Sequence, residues 1–125
     1  MSALSDLISK LEAATGGSRE LDRDIALVTG WSVRKVLGCD EWWHPTRGCA
    51  GLSHYTTSID SALPWEGEGF WEISGRRQYL HIPTESPNRW RAEFWYGPPL
   101  HAEKYVGWGA TEPLARRIAA LKARS

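Results

Sequence analysis

The chain has 125 residues, 15 lysines and arginines balanced by 15 aspartates and glutamates, and only two cysteines. That length fits one domain spanning 1–125, large enough to bury about two-thirds of its unfolded surface without metals or disulfides. Zero formal charge argues against a general nucleic-acid binder, and no stretch approaches the ~20 apolar residues of a membrane span.

Leu4, Leu7, Ile8 and Leu11 recur three or four apart and predict an amphipathic helix over 5–14, ended by Gly16-Gly17. Ser18 offers a capping hydroxyl to a second helix carrying Leu21, Ile25 and Val28, which Gly30 stops. Residues 32–37 suit either a strand or a helical extension, and Gly38-Cys39-Asp40 reads as a turn. Residues 41–44 form a strand that Pro45 ends, followed by a polar loop to Ser53. In the hydroxyl run that follows, Thr57 or Ser58 is placed to cap a short helix up to Leu63, which Pro64 stops.

Of eight tryptophans, four tyrosines and two phenylalanines, all but Trp31 lie between Trp42 and Trp108. Aromatic side chains favour pleated, half-buried surfaces. Three strands are predicted here: 69–73, then 76–82 after a turn at Ser74-Gly75, then 89–96. Along the last, Trp90, Ala92, Phe94 and Tyr96 alternate with Arg91, Glu93 and Trp95. Residues 100–110 read as irregular. Thr111-Glu112-Pro113 then opens a final helix with Leu114, Ile118 and Leu121 on its apolar side and Arg116, Arg117, Lys122 and Arg124 toward its C-terminal end. The fold class expected is α+β.

Three segments carry a family resemblance: "LISKLEAATGGSRELDRDIALVTGW" at 7–31, "HYTTSIDSAL" at 54–63 and "ATEPLARRIAALKAR" at 110–124. Together, and in this order, they resemble small phage and prophage proteins with the phage ABA sandwich domain. The resemblance implies an α-β-α sandwich, an antiparallel β-meander of three to four strands with helices packed on both faces. It implies a viral origin and brings no catalytic residues to these positions. The chain departs from that pattern in its tryptophan pairs and close arginines, Trp42-Trp43 and Arg89-Trp90-Arg91.

Several constellations invite chemistry. Cys39, His44, Cys49 and His54 fall five apart, but structural zinc sites space their ligand pairs two to five residues apart, so two ordinary thiols and no metal are expected. A disulfide between Cys39 and Cys49 would be reduced in a cytosol. Ser53, His54 and Asp60 supply the residue types of a hydrolytic triad without a nucleophile elbow. Gly16-Gly17-Ser18 leads into a helix but lacks the lysine of a phosphate loop. Glu66, Glu68 and Glu72 read as a solvated acidic edge.

The aromatic and basic residues point further. Tryptophan gives large contact area at low entropy cost, and arginine adds stacking and bidentate hydrogen bonds. Trp42, Trp43, Arg76, Arg77, Arg89, Arg91 and Trp95 are the candidate binding surface. Three functions follow: a non-enzymatic effector inhibiting a host anti-phage defence protein, a sponge for a nucleotide-like signalling molecule, or a small hydrolase. The first is preferred, with no cofactor, no membrane partner and action in the host cytoplasm. The N-terminus lacks the basic-then-apolar profile of a signal peptide.

Overall fold

The computed structural model describes residues 3–74, 90–98 and 100–124. Helix α1 spans Ala3–Ala13 and buries Leu7, Ile8 and Leu11, the stripe read from its spacing. Helix α2, Arg19–Val28, starts where Ser18 Oγ accepts the Leu21 N–H at 3.2 Å, and it buries Leu21 and Ile25. Gly30 follows at φ +101°, a conformation that glycine adopts without a Cβ penalty. Lys10 on α1 ties the two helices together through Asp24 on α2 at 2.8 Å.

Strands β1 (Ser32–Val36), β2 (Cys39–His44) and β3 (Gly48–Ala50) form an antiparallel sheet in that order. The turn predicted at Gly38-Cys39-Asp40 lies one residue earlier: Leu37 and Gly38 make it, both at positive φ, and Cys39 and Asp40 belong to β2. Two central residues at positive φ match the twist of the flanking strands, which is why a two-residue connection suffices. The loop expected up to Ser53 contains β3, a strand of three residues whose pairing partner, not its own sequence, defines it.

A second antiparallel sheet holds β4 (Phe70–Ser74), β5 (Trp90–Tyr96) and β6 (Glu103–Gly109), with β5 central. The chain is therefore α+β, as its sequence predicts, with its antiparallel strands in two three-stranded sheets where a single meander is expected. The strand predicted over 76–82 and Gly75 of the predicted turn lie outside the described residues. The stretch read as irregular at 100–110 is mostly β6. Its glycines are the reason it was missed, and also the reason it works. A Cβ at Gly107 would overlap the Ala115 carbonyl, and one at Gly109 would meet the Ala115 nitrogen at 2.7 Å. Helix α3, Glu112–Lys122, lies directly on β6 because those side chains are missing. It starts at the predicted cap, Thr111 Oγ1 accepting from Leu114 N.

The core gathers Leu11, Ile25, Leu63, Phe94, Leu114, Ile118 and Leu121, all fully buried. On the sheet, Trp71 stacks on Phe94 at 4.5 Å and Phe94 on Tyr96 at 5.6 Å, so the inward set of β5 is the one its alternation predicts.

The segment before Pro64 corrects the sequence reading. No helix capped by Thr57 or Ser58 forms; residues 55–61 are turns, and Pro64 opens a short 3₁₀ helix, Pro64–Glu68, instead of closing one. The carbonyls that a helix would use internally are taken by Arg117. Its guanidinium donates to the carbonyls of Tyr55 (3.0 Å), Ser58 (3.0 Å) and Ile59 (2.9 Å), and to Glu66 Oε1 at 2.5 Å.

Candidate functional site

Position along a strand decides which side chains share a face. On the sheet of β4, β5 and β6, the face away from α3 carries Phe70 and Glu72, then Arg91, Glu93 and Trp95, then Lys104, Val106 and Trp108. Phe70 is directly opposite Trp95, which is opposite Lys104; Arg91 is opposite Trp108. Phe70 is 74% exposed and Trp95 37%.

Glu93 organises this face. Its carboxylate accepts from Arg91 at 2.6 Å and pairs with Lys104 at 3.3 Å. Those two cations in turn stand over the flanking indoles, Arg91 over Trp108 and Lys104 over Trp95, each 5.8 Å from the ring centroid. Burial alone would raise the Glu93 carboxyl; hydrogen bonding to Arg91 and Lys104 outweighs it and holds the group below the usual carboxylate value. The result is a continuous row, Trp95–Lys104–Glu93–Arg91–Trp108, in which two cations share one carboxylate and Glu72 on the same face supplies the second acid.

The predicted surface residues are divided by the fold. Arg91 and Trp95 share this face. Trp43 lies on β2 of the other sheet, 46% exposed, beside a shallow depression of about 260 Å³ lined also by Arg34 and Glu41. Trp42, its neighbour, is not a surface residue: strand alternation turns it inward, where it is 4% exposed with Arg23 over its ring at 5.8 Å. Arg76, Arg77 and Arg89 lie outside the described residues. Phe70, Lys104 and Trp108 were absent from the sequence-derived set, and only strand register connects them to Trp95.

The other constellations resolve into structural roles. Cys39 and Cys49 are free and exposed; Cys39 pairs with Val36, whereas Cys49 sits opposite Trp43, four residues farther along β2. Among the described residues no His, Cys, Asp and Glu side chains group as a metal site. His54 Nδ1 lies 3.0 Å from the Arg19 guanidinium, so that ring nitrogen is engaged by an arginine. The Ser18 N–H, an expected phosphate donor, is taken by Thr56 Oγ1 at 3.0 Å. Glu66 corrects the acidic-edge reading, since it is 4% exposed and paired with Arg117, while Glu68 and Glu72 are exposed. Burial pushes the Glu66 carboxyl up, offset in part by Arg117 and the Leu63 N–H. A signal for this was present: position 117 falls between Leu114 and Leu121, three and four residues away on the buried side of α3.

An exposed aromatic–cation face on a small α+β domain is thus the class of site defined. No family model, curated protein or solved structure matches the chain. Among the described residues no helix is long and apolar enough to cross a membrane.

Proposed function

We propose that this is a non-enzymatic accessory protein of phage or prophage type that binds and inhibits a host defence protein in the host cytoplasm, using the outer face of β4, β5 and β6. The observation that carries the reading is the exposed pair Phe70 and Trp95, facing each other across two hydrogen-bonded strands. Sheet residues are held rigidly, so these rings present contact area with little entropy left to lose on binding. Arg91 and Lys104 at the centre of the face supply the polar component typical of interface anchors. The resemblance to phage ABA sandwich proteins supports the host-directed role.

The same geometry weighs against the nucleotide sponge. Arg91 and Lys104 already share Glu93, with Glu72 beside it on the same face, and an anionic ligand would have to compete with these carboxylates. A neutral face with aromatic anchors suits a protein surface better than a phosphate group.

The test is retention of host proteins by the immobilised full chain, compared with Trp95→Ala and Phe70→Ser. Both variants should melt close to the wild type, because neither ring is enclosed, yet lose the retained protein. Nucleotides released from the wild-type protein are read in the same samples by mass spectrometry. Unchanged retention by both variants, or a bound nucleotide in place of a protein, would sink the proposal.

A further inference from the structure

Resting on the docking role proposed for the outer face of β4, β5 and β6, we infer that Glu93 is the positioning residue of that face. It couples Trp95 at one end of the row to Trp108 at the other, so that the two indoles act as one site. The Glu93 side chain is only 8% exposed, too enclosed to anchor a partner itself. Arg91 and Lys104 nevertheless both meet the same oxygen of its carboxylate, Oε1, at 2.6 and 3.3 Å. Arg91 reaches that oxygen along β5, two residues away on the same face, and Lys104 reaches it diagonally from β6. Each cation also stands over the indole directly opposite it in the strand register, Arg91 over Trp108 and Lys104 over Trp95. One oxygen is thus divided between two cations, and each cation is divided between that oxygen and a ring.

Contacts shared in this way are coupled. An oxygen serving two donors holds each less tightly, so removing Arg91 draws Lys104 toward Glu93 and away from Trp95. Trp108 lies opposite Arg91, four residues along β5 from Trp95, a separation of roughly 13 Å in an extended strand. The two rings do not touch, and the carboxylate between them is the connection. Glu72, opposite Glu93 on β4, is exposed and forms no ion pair among the described residues, so it does not replace that connection. A partner seated on Phe70 and Trp95 displaces Lys104, and the displacement reaches Arg91 and Trp108 through Glu93. By linkage, engagement of Trp108 acts equally on Trp95. Rings set in this way before contact leave less ordering to be done on association.

The indole N–H resonances of the full chain, measured without any partner, test the coupling. Arg91→Met should move the Trp95 resonance, and should leave it in place once Glu93→Gln has cut the connection. Glu93→Gln keeps the shape of the side chain and removes its charge, and it should move the Trp95 and Trp108 resonances together. Trp65, whose indole donates to the Ala120 carbonyl at 2.8 Å, should not respond and so reports an intact fold. Retention of host proteins by immobilised Glu93→Gln should fall at least about 5-fold, the lower end of coupling between linked sites. Glu93→Asp, which keeps the charge, should recover part of that loss. A Trp95 resonance that ignores Arg91→Met, or that moves as far in the Glu93→Gln background, would overturn the inference. So would a Glu93→Gln protein that retains host proteins as the wild type does. A wild type that retains no host protein overturns the docking role instead, and the resonances then judge the coupling by themselves.

Discussion

Arg117 and Glu66 lie 51 residues apart in the chain and form a 2.5 Å ion pair in which neither side chain is more than 3% exposed. The guanidinium also donates to three backbone carbonyls, and the second Glu66 oxygen accepts the Leu63 N–H. One cation thus holds a whole irregular segment onto α3. An arginine suits this because its five donors are fixed in a plane and can serve several acceptors at once.

Glu66→Ala should cost about 3–5 kcal/mol by leaving that guanidinium buried without its counter-charge. Replacing both residues by apolar ones, Glu66→Leu with Arg117→Met, should not restore stability. The carbonyls of Tyr55, Ser58 and Ile59 would then lack their donor. Urea denaturation of the single and double variants checks both statements.

Asp22 joins the same segment to α2. It is fully buried, and accepts from the Thr56 N–H at 2.8 Å, the Thr56 hydroxyl at 2.7 Å and Arg19 at 3.0 Å. Asp22→Ala should destabilise by about 2–3 kcal/mol, the range for lost hydrogen bonds to a charged group. A double-mutant cycle with Thr56→Val should show about 1–2 kcal/mol of coupling, as expected of residues in direct contact. Additive effects would mean that the two side chains act separately.

Gly107→Ala should cost at least about 1–3 kcal/mol by forcing α3 off β6, the usual penalty of overpacking. Gly16→Ala is the matched control. Nothing lies within 4 Å of a Cβ there, and its effect should stay within about 0.5 kcal/mol. Thermal melts of the two variants side by side distinguish close packing from a general intolerance of glycine substitution.

The carboxyl of Glu93 is held below its ordinary value by Arg91 and Lys104, and this fixes the sign of its pH dependence. A depressed carboxyl contributes stability that is present above its unfolded value, about 4.3, and lost as pH falls through the lower folded value. Glu93→Gln should therefore be less stable than the wild type at neutral pH, with the gap closing in acid. The same substitution should loosen Arg91 from Trp108 and Lys104 from Trp95, changing indole fluorescence at pH 7. A gap that persists unchanged into strong acid would assign the loss to packing instead of charge.

Local chemistry was enough to read much of the scaffold. The stripes Leu7–Ile8–Leu11 and Leu114–Ile118–Leu121, the caps Ser18 and Thr111, and the alternation along β5 all depend on residues within a few positions of one another, where periodicity and capping act directly. Arg91 and Trp95 were legible as neighbours on one strand face for the same reason.

Contacts distant in sequence decided the rest. Gly107 and Gly109 resemble loop residues until a helix is laid against them, and Glu66 resembles surface charge until Arg117 reaches it from α3. Phe70 and Trp108 join Trp95 only through strand pairing, and Trp42 leaves the surface only because its sheet folds against α2. Each of these outcomes depends on which distant group supplies the partner for a backbone carbonyl, a charge or an apolar face, and that choice exists only once the chain has folded.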